Sequence, residues 1–357
     1  MQTSERHSSV RRRIIAISLV GALAVIVAMV ALLSKPARRG MPIYQGKTAE
    51  EWLVQVASTN RESALSAIRK MGNQAIPVLI HAFKKVDTPW DKLWQWAYPK
   101  LPALLRTRLS PPVPAFVIRG SAFMVFLDSP KLEKAAFPEL LRHLEDKSKG
   151  DQAQAYVMGV VLRLVIRLPS QDSTNAVPVV VPYLQANDPN MRRVAANVLE
   201  MIGPSAKAAL PGLSVSLGDP DVRVRVSAAC AVWRIDHQTN AAAAVFEKAL
   251  ATMDAGDFFV STAGYLSTVS PDSPALLPAY IKALQAPKAS YRIRYDEFRL
   301  DFIGRLAAYG RPAEPAVPVL VKILREDATL RSVALNALKR IDPEEAVKWE
   351  TSATSSP

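Results

Sequence analysis

The chain has 357 residues, 49% of them hydrophobic and 22% charged, with 27 prolines, one cysteine and a formal net charge of +13. That length is ample for one extended folded body, no long low-complexity tract interrupts it, and a single cysteine excludes an intramolecular disulfide. Residues 1–40 hold seven Lys or Arg and one Glu, so +6 of the charge lies there and the remaining +7 is modest for a dedicated nucleic-acid binder.

The first apolar run, "IIAISLVGALAVIVAMVALL" (14–33), is twenty residues without a charge. As a helix rising about 1.5 Å per residue it would span ~30 Å, the thickness of a bilayer core. Arg11, Arg12 and Arg13 precede it, the usual cytoplasmic flag, while Lys35, Arg38 and Arg39 behind it dilute that signal. The expectation is a cytoplasmic arm (1–13), an uncleaved transmembrane signal-anchor (14–33) and a linker (34–47). This predicts a single pass through the cytoplasmic membrane, N-terminus inside and the remainder facing the periplasm or exterior. A cleaved signal peptide is the alternative, but its apolar region is normally about 7–15 residues.

Next, "YQGKTAEEWL" (44–53) has Thr48 and Glu51 at capping-box spacing and opens a helical region predicted over 48–349. Within it, 86–134 is longer than one unit and forms an elaborated insertion. Its "PWDKLWQWAYPKLPALLRTRLSPPVPAFVIRGSAFMVFL" (89–127) carries Trp90, Trp94 and Trp96, and from Lys92 to Leu127 there is no carboxylate. The cations there include Lys92, Lys100, Arg106 and Arg108, and Pro99, Pro102, Pro111, Pro112 and Pro114 break any long helix. Three uses are open for this stretch: aromatics that plug an irregular junction between repeats, a membrane-surface segment, or a groove for a partner or ligand.

Further on, the chain repeats itself. "DPNMRRVAANVLEMIG" (188–203) places Met191, Val194, Ala195, Val198, Leu199 and Ile202 on one helical stripe. Val224, Ser227, Ala228, Ala231, Val232 and Ile235 repeat the spacing, as do Leu330, Val333, Ala334, Ala337, Leu338 and Ile341. Asp188, Asp221 and Asp327 each sit where a carboxylate caps the helix start, and Gly203 stands where a left-handed C-terminal cap is needed. "GRPAEPAVPVL" (310–320) matches "GPSAKAALPGL" (203–213) without a gap, and "AIPVLIHAF" (75–83), "AAFPELLRHL" (135–144), "AVPVVVPYL" (176–184) and "ALLPAYIKAL" (275–284) share its apolar-Pro-apolar beat. Two helices per unit, with a period of roughly 31–40 residues, indicate an all-α solenoid. Residues 350–357 read as a flexible tail.

The Asp-x-x-apolar-Arg run at Asp188/Arg192, Asp221/Arg225 and Asp327/Arg331 resembles the HEAT-repeat family, in the short bacterial form related to the phycobilin-lyase type. The resemblance covers about 48–348 and implies a right-handed α-solenoid of HEAT-type helix pairs, with those residues as structural caps and ladder arginines. Arg61 and Arg299 fall at the Arg position of weaker copies, while Asp301 and Arg305 interrupt the stripe around 298–309. The resemblance is specific for fold and nearly silent on activity.

Chemistry-bearing clusters are absent from the sequence pattern. His7, His81, His143 and His237 are scattered, and "RHLED" (142–146) places His143 on a polar helix face. No nucleophile elbow or phosphate-cradling glycine loop occurs. Asp296/Glu297 and Glu344/Glu345 sit at helix starts, where they serve the dipole. Cys230 lies beside the repeat stripe and has a packing role. The expectation is therefore no catalytic, metal or cofactor site, and a membrane-tethered scaffold for protein partners outside the cytoplasmic membrane. A HEAT-architecture enzyme acting on nucleic acid, glycosylase-like, and a small-molecule or pigment carrier are the alternatives; nucleic acid is disfavoured.

Overall fold

The computed structural model describes residues 42–354 apart from 59, 146–150, 168–172 and 292–294. It is all-α save for one two-residue hairpin, and the chain divides into two compact units, Met1–Leu168 and Pro169–Pro357.

The described part of the first unit opens with strands β1 (Ile43–Tyr44) and β2 (Lys47–Thr48), paired antiparallel as Tyr44↔Lys47 and Ile43↔Thr48. Gln45 and Gly46 both have positive φ, 49° and 76°, as a two-residue hairpin loop requires. This hairpin, placed in the linker by the sequence, packs on the helix that follows it: Trp52 Nε1 donates to Tyr44 O at 3.0 Å, and Lys47 Nζ lies 4.4 Å from the Trp52 ring centroid. Thr48 caps α1 (Ala49–Val56) with both capping-box bonds, Glu51 N to Thr48 Oγ1 and Thr48 N to Glu51 Oε2.

Then follow α2 (Arg61–Met71), α3 (Ile76–Phe83), the short α4 (Pro89–Ala97) and α5 (Ala103–Arg106), and three longer helices, α6 (Ala115–Asp128), α7 (Pro130–Glu145) and α8 (Asp151–Arg167). The core is built where α1 and α3 pack on α6, and α3 on α7 and α8. Phe83 stacks between Phe126 and Tyr156, each 6.0 Å away.

The second unit contains the clear repeats. Its helices are α9 (Val177–Val180), α10 (Pro189–Ile202), α11 (Leu210–Ser216), α12 (Val222–Asp236), α13 (Thr239–Thr252) and α14 (Asp257–Val269). They continue as α15 (Leu276–Gln285), α16 (Tyr295–Tyr309), α17 (Val317–Glu326), α18 (Arg331–Ile341) and α19 (Pro343–Thr354). First helices of successive pairs pack on one another (α10 on α12, α12 on α14, α16 on α18), second helices do likewise (α15 on α17), and partners pack within pairs (α12 on α13, α14 on α15, α18 on α19). The small stripe residues Ala195, Ala228 and Ala334 are fully buried and allow this close approach.

The proline beat of the sequence has a position: Pro77, Pro178, Pro211 and Pro318 lie in the first turn of α3, α9, α11 and α17, where a missing N–H costs nothing. Pro138 departs from it, since α7 runs through it. The glycine ending α10 also differs from expectation. Gly203 has φ 68° and ψ −140°, and Gly72 (φ 62°, ψ −143°) and Gly310 (φ 65°, ψ −140°) repeat that conformation. This is a glycine-only region rather than the left-handed helical one, because the chain turns there straight into the next helix without a cap loop.

The membrane placement is corrected. Among the described residues no helix is long and apolar enough to cross a membrane. α8, with 17 residues, would reach only about 26 Å, short of the ~30 Å a bilayer core demands. The arm (1–13), the stretch 14–33 and linker residues 34–41 lie outside the described residues. A single-pass protein with its solenoid facing the periplasm is therefore not supported, and the function is argued without it. Of 350–357, read as a tail, residues to Thr354 belong to α19.

Candidate functional site

The insertion organises its aromatics by helical phase. Asp87 Oδ1 accepts from Ala115 N at 2.8 Å and from Gln95 Nε2 at 3.1 Å, joining the start of α6 to α4. Thr88 and Asp91 form a second capping box, and Pro89 begins α4. One stripe, 90–94–97–101, turns inward: Ala97 and Leu101 are buried, and Trp94 is half-buried, edge-on to Tyr98 at 5.5 Å. Trp90, at the outer end of that stripe, is 62% exposed. The other stripe is Lys92, Trp96 and Lys100, spaced by four and all exposed, with Lys100 Nζ 3.1 Å from the Trp96 centroid.

The Tyr98 hydroxyl reaches Arg106 O at 3.0 Å and Leu109 O at 3.4 Å, folding α5 back against this helix. Arg106 and Arg108 are thereby held in the same local body, and both are exposed. Lys92, Lys100, Arg106 and Arg108 make no ion pair with a described residue, and the nearby acids Asp87 and Asp91 accept hydrogen bonds from Ala115, Gln95 and Thr88 instead. Leu104 and Phe116 add exposed apolar area. The predicted residues thus divide: Trp94 fills the junction, and the others face out.

The repeat residues do structural work in the second unit. Asp188 accepts from Asn190 N at 2.9 Å and Asp221 from Arg223 N at 2.8 Å, each at a helix start. Arg192 grips Asp219 with two parallel bonds, Nε to Oδ2 at 2.7 Å and Nη2 to Oδ1 at 2.9 Å. Its Nη1 donates to Ala186 O and Asn187 O, and Arg225 Nη1 repeats that pattern on Asp219 O and Pro220 O. Asp327 serves differently from the other two: α18 begins only at Arg331, and Asp327 accepts from Thr329 N, Thr329 Oγ1 and Arg299 Nη1 instead. The hydroxyl of Thr329 and the guanidinium of Arg299 outweigh burial and hold the Asp327 carboxyl down at about 2. Arg331 donates Nε to Leu324 O.

Sequence reasoning missed the burial of His143 and Glu200, whereas the packing role it gave Cys230 agrees with the structure. His143 is buried rather than on a polar face. Cys230 is buried, and desolvation with the nearby Glu200 charge pushes its thiol far above the ordinary range, so it is an unreactive packing thiol. Glu200 is only 5% exposed; burial raises its carboxyl, opposed by the Arg234 charge and a hydrogen bond from Tyr265. A carboxyl raised above its ordinary 4.5 penalises folding once ionised: the penalty is absent below pH 4.5 and complete above the folded-state value. Glu200→Gln should therefore stabilise the fold at pH 7 by about 1 kcal/mol. Urea midpoints at pH 7 and pH 4 check this, since the gain should shrink at the lower pH; a destabilised variant at pH 7 refutes it.

Two half-open grooves lie between neighbouring helices, one in each unit. The first, about 310 Å³, is lined by Glu50, Leu53, Pro77, Val78, His81 and Lys85 among others, and the second, about 320 Å³, by Glu247, Leu250, Pro278, Ala279 and Lys282 among others. Among the described residues no group of His, Cys, Asp or Glu side chains could hold a metal ion.

No protein-family model matches the chain, and no curated protein matches it in sequence. Among solved structures, an engineered protein is 18% identical with a TM-score of 0.45, the match covering 92% of this chain and 92% of that one. The complex of CpcE and CpcF of phycocyanin lyase from Nostoc sp. PCC7120 is 18% identical with a TM-score of 0.39, covering 81% of this chain and 100% of that one. Likenesses this distant carry no argument about binding or activity.

Proposed function

We propose that the chain is a right-handed HEAT-type α-solenoid acting as a scaffold for protein partners, with no catalytic activity of its own. The observation that carries this is the contrast between its two classes of polar residue. In the repeats, Asp188, Arg192, Asp221, Arg225 and Asp327 are consumed by caps and inter-helix bonds. In the insertion, Trp90 and Trp96 stand exposed among cations that have no ion-pair partner among the described residues. Trp and Arg dominate the energetics of protein interfaces, and large aromatic side chains left in water mark a surface built to be covered.

A carrier of pigment-sized molecules has less support. Both grooves are half-open and sit at the low end of the ~300–1,000 Å³ typical of ligand pockets. Site-specific photocrosslinking in the cells that make the protein tests the scaffold reading. A photoreactive residue at Trp96 should trap a discrete protein adduct, and the same residue at Val215, exposed on α11, should not. Adducts absent at Trp96, or identical at both positions, overturn it.

A further inference from the structure

We infer that the α4–α5 surface binds an acidic peptide segment of its partner, with carboxylates seated on Lys92, Lys100, Arg106 and Arg108 and an apolar side chain against Trp90. This rests on the scaffold reading and specifies the partner's chemistry. Four exposed cations fall within 92–108, and no acid lies between Lys92 and Leu127 to neutralise them. An exposed ion pair alone contributes little. Several cations on one short stretch that also exposes large apolar side chains do better, since desolvation by an apolar contact strengthens each charged one.

Single-stranded nucleic acid also seeks cations and aromatic rings, but it needs open ring faces for base stacking. Here the Lys100 ammonium already covers one face of Trp96 at 3.1 Å, and Trp94 is set edge-on to Tyr98. Trp90 makes no ring contact among the described residues, and a single open ring is no stacking platform. Leu104, 69% exposed beside Arg106, suits an aliphatic or aromatic side chain and gives a phosphate nothing. The surface therefore fits a segment that alternates carboxylates with apolar residues.

Fluorescence anisotropy with the full chain tests this, using a labelled peptide of Glu-Glu-Leu repeats, its Lys-Lys-Leu counterpart and an oligothymidine of equal length. The acidic peptide should bind at least about tenfold tighter than the basic one, with affinity falling as salt rises. Lys92→Glu with Lys100→Glu should weaken it at least about tenfold, and Trp90→Ala several-fold. Lys207→Glu with Lys248→Glu, both exposed in the second unit, makes the same change of net charge and should leave binding intact. Equal loss in both charge-reversed pairs, or oligothymidine binding as tightly as the acidic peptide, overturns the inference. Should Trp96 photocrosslinking still trap a protein while the acidic peptide fails to bind, this inference falls and the scaffold stands. Loss of the crosslink as well removes both.

Discussion

Arg192→Ala should destabilise the fold by about 3–5 kcal/mol, the range for breaking a buried ion pair by deleting one partner. The Arg192 and Asp219 side chains are only 14% and 7% exposed. Asp219 feels burial first, which opposes its charge, but the Arg192 hydrogen bonds and the Asp221 amide outweigh it and hold the carboxyl below its ordinary value. Without Arg192 that carboxylate stays buried with a single backbone donor, Asp221 N at 2.8 Å. Carbonyls of Ala186 and Asn187 lose their donor as well. Arg225→Ala is the internal comparison. Arg225 occupies the same repeat position but spends Nη1 on two backbone carbonyls, so its loss should cost about 1–2 kcal/mol. Urea midpoints of the two variants decide the matter: equal shifts would mean that the Asp219 pair adds nothing beyond the carbonyl contacts.

The contrast shows where the sequence was legible. The stripe from Met191 to Ile202 was, because spacings of three and four residues state which face is buried before any neighbour is known. Asp188 and the Thr48–Glu51 box were legible for the same local reason, since a cap bonds within its own first turn. Asp219 was not. Two acids stand at 219 and 221, and only the packing of α10 on α12 decides that one caps its helix while the other receives a guanidinium from the preceding repeat. Glu200 lies off the stripe, and Arg234 and Tyr265, from two different helices, set its environment. In the insertion, composition exposed the chemistry but not its direction. That Trp94 turns in while Trp96 turns out depends on where α4 starts, and Asp87 and Thr88 set that start through bonds to Ala115 and Asp91.

Changes at the proposed binding surface should spare the fold, because its side chains are exposed. Within the second unit each stacked pair depends chiefly on its neighbours, so stability there is distributed along the stack. Exposed Trp90 and Trp96 contribute little to a core, and their chemistry is free to vary. Surface variants of Lys92 or Lys100 should accordingly alter binding without moving the urea midpoint, whereas ladder variants such as Arg192→Ala should move the midpoint first.

The first unit has its own buried pair, and Glu133→Gln should cost it about 2–4 kcal/mol. Glu133 lies in the first turn of α7, where an exposed carboxylate would do no more than favour the helix dipole. Its side chain is instead fully buried, with Arg163 donating Nε and Nη2 to Oε1 at 3.0 and 2.9 Å and Arg167 donating Nη1 to Oε2 at 3.3 Å. Glutamine keeps the shape and one acceptor oxygen but puts an amide N–H₂ where Oε2 or Oε1 received a guanidinium. One arginine then faces a donor instead of an acceptor. The loss should be asymmetric across the trio. Arg167 is 50% exposed and can turn to water, so Arg167→Ala should cost under about 1 kcal/mol. Arg163 is 24% exposed and makes both short bonds, so Arg163→Ala should approach the effect of Glu133→Gln. Urea denaturation of the three variants tests the ordering. A neutral Glu133→Gln, or an Arg167→Ala as costly as Arg163→Ala, would show that burial of this carboxylate does not depend on the two short bonds from Arg163.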